Sequence, residues 1–437
     1  MKALAALFAP VCLYAQASAL SGSFLLPLED DAIQYQTVTH ADPVAKLQQR
    51  IDRGEAKLDF RSPNGFLLSV LRELNVPVSS QTLVFSKTSF QQSLISPSAP
   101  RAVYFNDDVY VGWVKHSDVL ELSAVDPLKG GVFYTLDQRD NGKPRFTRHD
   151  ECLQCHASPR TLGVPGHLVR SVFPDREGFP QLNGGAFHTD HSSPFSERFG
   201  GWYVTGSHGS MRHMGNSFVE NKDEPDKIDR DKGANKLKLD EFADLSLYPS
   251  RNADIAAHMV LSHQATGHNL LTRVSYEARV AVSQQEGINR ALGRPLNEWS
   301  DSTRRRIYGT AEVLVKYLLM TGEAKLAEPV AGNTSFAKEF AAGGRRDSRN
   351  RSLKDLDLKT RLFRYPCSFL IYTDAFLHLP KPAKDYVDRR LLEVLTGKDR
   401  SKEFASLTDA DRKAILEILR ETRTDLPDSW RTADSGN

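Results

Sequence analysis

The sequence contains little cysteine and methionine, and its charges nearly cancel. Its 437 residues include four Cys and five Met, and 57 Lys and Arg against 55 Asp and Glu give a net charge of +2. Three of the four cysteines lie beyond the N-terminal segment that is discussed below as a signal peptide, and three cysteines do not make a disulfide framework. The balanced charge gives no general preference for nucleic acid or for an anionic membrane, so neither is an expected partner.

Long apolar runs are also absent. No stretch approaches the roughly 18 consecutive apolar residues that read as a membrane-spanning helix, so we expect no membrane insertion. The chain shows no internal repeat, and nothing in it indicates an oligomeric state.

The N-terminus has the pattern of a secretory signal. Lys2 precedes an apolar run to about Ala15, and small residues follow in Ala15-Gln16-Ala17 and Ala17-Ser18-Ala19, both suitable for signal peptidase. We therefore predict a signal peptide over residues 1–19 and a periplasmic or otherwise exported protein. Cleavage would remove Cys12 and leave Cys152, Cys155 and Cys367.

The segment "RHDECLQCHASPR", residues 148–160, contains two of the three remaining cysteines and a histidine beside them. Cys152 and Cys155 lie three positions apart, and His156 follows directly. Two thiols one helical turn apart can each add to a vinyl group of one haem, and the next imidazole can then bind the iron as the proximal ligand. The predicted cofactor is one covalent haem c.

On these three residues, together with the predicted export signal, the chain resembles the c-type cytochromes. The resemblance covers the attachment site and about 70 residues around it. In small cytochromes c a helix leads into the motif near the N-terminus, whereas here a β-rich stretch precedes it. The small-cytochrome fold is therefore not expected for the whole chain.

Two other uses of a Cys-x-x-Cys pair compete with haem. A thioredoxin-like redox pair needs a strand–helix context, and both flanks of this pair are loop-like. A structural zinc site needs further ligands. His188 and His191 are spaced for ligation, but "FHTDHSSPF" has no helical periodicity.

The second axial ligand stays open at this stage. Met214 is the leading candidate, because it lies near the offset at which small cytochromes place their axial methionine and because glycines surround it. Met211, His213 and His208 share its loop, and His263 lies on a predicted long helix. An iron with no second protein ligand is the remaining alternative. Expected neighbours of the haem are Arg160, Arg170, Arg198, Arg212, Trp202 and Tyr203.

The periodicity predicts an α+β protein with a hairpin-rich N-terminal half, an irregular haem-wrapping segment and a mainly helical C-terminal half. The turn residues of "RAVYFNDDVYVGWV" and the Asn141-Gly142 pair predict two β-hairpins. One long helix is expected from near Asn252, and Thr408 is expected to cap a late helix. The predicted divisions are 20–145, mixed α/β; 146–219, haem-binding; 220–250, a charged linker or surface loop; and 251–437, helical.

The resulting expectation is an exported monohaem cytochrome that exchanges electrons with partner proteins. The alternative is a haem-dependent oxidoreductase, peroxidase-like or acting on a small molecule, in which an open iron is served by His208, His213 or Arg212 as a proton-handling group. Its motivation is the size of the chain, which exceeds what a carrier needs. A third reading is a redox-sensing or docking subunit. Electron transfer is favoured over enzymatic activity, and the sequence assigns no catalytic residue.

Overall fold

The computed structural model describes residues 26–39, 41–140 and 142–432. The predicted signal peptide and Asn141 of the second predicted turn lie outside these residues. The α+β prediction is confirmed, because an antiparallel sheet occupies the N-terminal half and helices dominate the C-terminal half. None of the helices in the described part of the chain combines the length and the apolar composition that a bilayer crossing requires.

The main sheet has seven strands in the order β6-β5-β4-β3-β2-β1-β9, and every neighbouring pair is antiparallel. The predicted hairpin around Asn106 is confirmed as β2–β3, where the side chain of Asn106 accepts from the backbone N–H groups of Asp108 and Val109. A separate two-stranded hairpin, β7–β8, follows the cysteine motif. The strands are β1 Thr82–Val84, β2 Arg101–Phe105, β3 Val109–Trp113, β4 Val119–Asp126, β5 Gly130–Asp137, β6 Phe146–Arg148, β7 Arg170–Val172, β8 Ala186–His188 and β9 Trp202–Tyr203.

Ten α-helices complete the described fold. The longest, α4, begins after Asp254, whose carboxylate accepts from the N–H of Ala256, close to the predicted start near Asn252. Thr408 caps α9 as predicted. The helices are α1 Pro43–Asp52, α2 Leu67–Glu73, α3 Leu153–His156, α4 Ile255–Ala291, α5 Asp301–Leu318, α6 Phe336–Ala342, α7 Asp374–Leu377, α8 Lys381–Leu395, α9 Asp409–Thr422 and α10 Ser429–Thr432.

Alternation along the strands gives the sheet two different faces. On β4, Leu120, Leu122 and Ala124 point into a core that α1 and α2 complete. The opposite face carries Ser123 of β4 and its cross-strand neighbours Tyr110 and Phe133. This second face meets the segment after the cysteine motif and the long helix α4.

Residues 220–250 contain turns but no helix or strand. Despite their charge, they contribute buried side chains to the core on the first face of the sheet. These are Leu239, Ala243, Leu245 and Tyr248. A few apolar side chains of this segment thus pack on the sheet, while most of its charged side chains face solvent.

The start of β5 approaches α4 and the segment after the motif too closely for a side chain. A Cβ on Gly130 would lie 2.4 Å from Cγ2 of Thr272 and 2.7 Å from the carbonyl oxygen of Pro165, and its φ is +75°. Only glycine meets both conditions without strain. The loop that contains Pro165 therefore rests directly on the backbone of β5.

We predict that Gly130→Ala destabilises the protein by about 1–3 kcal/mol, since it combines overpacking with a left-handed backbone. The matched control is Gly287→Ala on α4, where an added Cβ meets nothing within 4 Å. The control should stabilise the helix by about 0.5–1 kcal/mol. Urea unfolding measures both, and equal effects of the two substitutions would contradict the close approach.

Candidate functional site

The cysteine motif lies on a short helical segment that links the sheet to an irregular region. Strand β6 ends at Arg148, a 3₁₀ turn spans Asp150–Cys152, and α3 continues it over Leu153–His156. We call residues 150–156 the attachment turn. Cys152 is half-buried, Cys155 is exposed, and neither forms a disulfide. Two unpaired thiols therefore lie on one helical turn at the protein surface.

His156 is held in one orientation. Its Nδ1–H donates to the carbonyl oxygen of Gly166 at 2.9 Å, and its ring packs on Phe133 with centroids 4.6 Å apart. A hydrogen bond from Nδ1 selects the tautomer in which Nε2 carries the free lone pair, as in histidines that bind metals. Burial lowers the pKa of His156, which favours the neutral form that can bind iron.

The Gly166 carbonyl is positioned by the long helix. Asn269 of α4 accepts from the backbone N–H of His167 at 2.8 Å and donates to the His167 carbonyl at 2.8 Å. A Cβ on Gly166 would lie 2.2 Å from Oδ1 of Asn269. The residue that supports His156 is thus packed against a helix more than 100 positions away in sequence.

Behind Phe133 lies a row of buried rings. His167 packs on Tyr110 with centroids 4.3 Å apart, and its Nε2 bonds to Ser123 Oγ at 2.7 Å. Tyr110 bonds through its hydroxyl to Nδ1 of His268 on α4 at 3.0 Å. This packing keeps solvent away from the inner side of His156.

The β7–β8 hairpin lies near the attachment turn. Arg170 pairs directly with His188 across the hairpin, and the Arg170 guanidinium lies within electrostatic reach of the Cys155 thiol and of Arg160. Nε of Arg170 is buried and has no hydrogen-bond partner. Desolvation, followed by Arg170 and Arg160, lowers the pKa of His188 to about 4.

A pair of opposite charges borders the inner side of the turn. Arg101 of β2 and Glu121 of β4 form an ion pair at 2.5 Å, and both act electrostatically on Cys152 and His156. Burial, followed by Glu121 and Glu151, raises the pKa of the Cys152 thiol to about 11. Redox-active Cys-x-x-Cys pairs depend on a lowered thiol pKa, so this environment argues against a thioredoxin-like pair.

The residues present fit a covalent haem. The unpaired thiols of Cys152 and Cys155 could form the two thioether bonds, and Nε2 of His156 is free for the iron. The orphaned Nε of Arg170 offers a buried donor beside Cys155. The geometry does not support a zinc site. Among the residues that the structure describes, no group of three Cys, His, Asp or Glu side chains is placed to hold a metal ion.

Met214, the leading candidate for the second ligand, lies behind the hairpin. It is fully buried beside Phe173, and its Sδ accepts from Ser171 Oγ at 3.5 Å. Ser171 and Arg170 are consecutive in β7, so their side chains point to opposite faces. Since Arg170 faces Cys155, Met214 contacts the other face of the strand.

The remaining candidates are engaged in other contacts. Both ring nitrogens of His208 are hydrogen-bonded, to the Met211 carbonyl and to the N–H of Asn235. Those of His263 bond to His191 and to Ser368. His213 is buried and accepts from the N–H of Gly215, and Met211 packs against the helical core.

The expected haem neighbours divide into two groups. Arg160 and Arg170 lie at the attachment turn, and Trp202 supports them indirectly because its Nε1 donates to the Arg170 carbonyl at 2.7 Å. The others have separate partners: Arg198 donates to the carbonyls of His191 and Ser193, Arg212 pairs with Asp231, and Tyr203 donates to the Pro97 carbonyl.

The sequence analysis did not place His188 near the attachment turn. No local signal pointed to it, because neither "HLVRSVF" nor "GAFHTD" alternates polar and apolar residues as a half-buried strand does. Cys367 is fully buried, and burial raises the pKa of its thiol to about 12. Comparison with family models, with curated proteins and with solved structures gives no match to this chain.

We predict that Asn269→Ala destabilises the protein by about 2–4 kcal/mol, because it leaves two buried backbone groups of His167 without partners. The substitution should also loosen the Gly166 carbonyl that holds the imidazole of His156. Urea unfolding followed by circular dichroism measures the first effect. Asn221→Ala, in an exposed turn, is the control and should stay within about 0.5 kcal/mol of the parent.

The buried histidines predict acid sensitivity. Burial lowers the pKa values of His191, His258 and His268 to about 3, so these rings stay neutral in the folded chain. Unfolded, they titrate near 6.5, and folding stability is therefore complete above that pH and is lost as the pH falls from about 6.5 toward 3. Each ring contributes a slope of about 1.4 kcal/mol per pH unit in this window.

Urea midpoints measured between pH 7 and pH 4.5 test this sensitivity. We expect the slope from these three rings together to rise as the pH falls below about 6.5 and to approach about 4 kcal/mol per pH unit near pH 5. His258→Gln should reduce the slope by the share of one ring. A stability that does not change over this range would show that the rings are not held neutral.

Proposed function

We propose that the protein is an exported, monohaem c-type cytochrome that transfers electrons through one covalently attached haem. The observation that carries the proposal is the attachment turn. It presents the unpaired thiols of Cys152 and Cys155 on one helical turn, next to an imidazole whose Nδ1–H is fixed on the Gly166 carbonyl. When bound, the haem would supply a one-electron couple of the iron.

The residues of the chain have distinct tasks in this proposal. Cys152 and Cys155 hold the group covalently, and Nε2 of His156 binds its iron. Gly166 sets the orientation and basicity of that imidazole through the 2.9 Å hydrogen bond. Phe133 and the rings behind it keep the proximal side dry, while Arg160 and Arg170 supply positive charge for the carboxylate groups of the cofactor.

Exposure supports outer-sphere exchange with partner proteins. Cys155 is exposed and Cys152 is half-buried, so the edge of a group attached there would reach solvent. Electron transfer between proteins needs only close approach of such an edge, and encounters of this type use small, transient interfaces. Electron donor and acceptor proteins are therefore the proposed partners.

The contacts of the proton-handling candidates favour a carrier over an enzyme. Both ring nitrogens of His208 are hydrogen-bonded. Arg212 forms an ion pair with Asp231 and also donates to the carbonyl oxygen of Met211 in its own loop. His213 is buried among aromatic rings. None of the three has a described contact with the attachment turn, where an enzyme would need them.

Expression of the full chain with a periplasmic cytochrome c maturation system tests the proposal. We expect one haem per chain that survives denaturing electrophoresis and acid–acetone extraction. Replacing Cys152 and Cys155 together by serine should abolish covalent haem, and His156→Ala should abolish the low-spin spectrum of the ferric protein. Cys367→Ser is the matched control, because Cys367 is buried apart from the turn and should leave the haem content unchanged.

Thiol titration of the denatured parent provides an independent readout. With haem attached, Cys367 is the reactive thiol among these three cysteines, whereas Cys152 and Cys155 react as well if no haem is bound. A secreted chain that carries no haem-dependent stain and whose attachment-turn thiols react would refute the proposal. The same preparation shows whether residues 1–19 have been removed.

A further inference from the structure

We infer that His188 of strand β8 is the second axial ligand of the haem iron, which would make the cytochrome a bis-histidine carrier. This inference rests on the proposed function, since it presupposes haem on the attachment turn. It assigns the position that the sequence left open between Met214, Met211 and several histidines.

The β7–β8 hairpin places His188 on the face that looks toward the attachment turn. Arg170 and His188 are directly opposed in the antiparallel register, and directly opposed side chains project from the same face. The next pair, Ser171 and Phe187, projects from the other face. There Ser171 bonds to Met214, and Phe187 packs on Phe173.

Electrostatic contacts connect this face to the cysteines. Arg170 interacts with the Cys155 thiol and with Arg160, and His188 interacts with both arginines. The hairpin, Arg160 and Cys155 therefore lie near one another. His156 follows Cys155 directly and is held by Gly166 and Phe133. The two imidazoles thus belong to different elements that lie near the same turn.

His188 is also chemically free to bind a metal. Within the part of the chain that the structure describes, neither of its ring nitrogens has a hydrogen-bond partner, and the side chain is exposed.

The hairpin is well anchored for this role. Trp202 donates to the Arg170 carbonyl, and Gly200 lies so close to β7 that an added Cβ would meet the Val172 carbonyl at 2.2 Å. The Thr189 N–H donates to the Val169 carbonyl and extends the pairing past His188. A ligand on a paired strand is held more firmly than one on a free loop.

The competing side chains would first have to break existing contacts. Met214 would have to leave a buried apolar cluster on the other face of β7, and His208 and His263 would each have to give up two hydrogen bonds. Such rearrangements leave buried polar groups unsatisfied, which is unfavourable. His188 requires no such loss.

Spectroscopy of the full haem-loaded chain tests the inference. We expect the parent to be low-spin in the ferric state, with the electron paramagnetic resonance signature of two imidazole ligands and no methionine–iron charge-transfer band. His188→Ala should become high-spin, and added imidazole should restore the low-spin spectrum. An internal ligand lowers the apparent affinity for an external one, so imidazole should bind the variant at least about tenfold more tightly than it binds the parent.

Two further variants sharpen the assignment. His188→Met should regain a low-spin spectrum with a methionine–iron band and a raised midpoint potential. Met214→Ala and His213→Ala are the controls and should keep the bis-imidazole signature of the parent. Circular dichroism would show that every variant is folded.

Three results would overturn the inference while leaving the haem proposal intact: a methionine–iron band in the parent, a high-spin parent, or a low-spin His188→Ala protein with no added imidazole. All three presuppose covalent haem in the preparation. A chain without covalent haem is a different outcome, because it refutes the proposed function itself.

Discussion

The hydrogen bond from His156 Nδ1 to the Gly166 carbonyl is the contact on which the account of the site depends. It fixes the tautomer of the imidazole and leaves the lone pair on Nε2. The loop that supplies the carbonyl is itself held between the backbone of β5 and Asn269 of α4. A sheet, a loop and a long helix therefore cooperate to orient one ring.

Because the orientation of His156 depends on distant elements, the short motif needs the large structure around it. A four-residue helix such as α3 has too few internal hydrogen bonds to hold itself in place, so neighbouring elements must position it. The second face of the sheet supplies Phe133, Ser123 and Tyr110 for that purpose. The first face is covered by α1, α2 and residues 220–250, and stabilises the sheet without touching the motif.

The sequence predicted the parts of the fold that follow from local pattern. Turn chemistry identified the β2–β3 hairpin, and a period near 3.6 residues identified α4, with an error of a few residues at its cap. The pairing of β9 with β1 was not predictable, because β9 has two residues and joins a strand more than 100 positions earlier. The apolar anchors of residues 220–250 were hidden among charged neighbours for a related reason: contacts with distant residues decide burial there.

For the site, the motif alone predicted Cys152, Cys155 and His156 as the residues that would hold a haem, but spacing could not choose a second ligand. That choice depends on which face of β7 each side chain meets, a property of pairing between Arg170 and His188 that no local pattern expresses. The attachment itself remains the claim to test. Trypsin digestion of the secreted chain, expressed with a maturation system, should release residues 149–160 as a peptide with one haem added and neither cysteine open to alkylation. The same peptide found without haem and alkylated at both Cys152 and Cys155 would contradict the account.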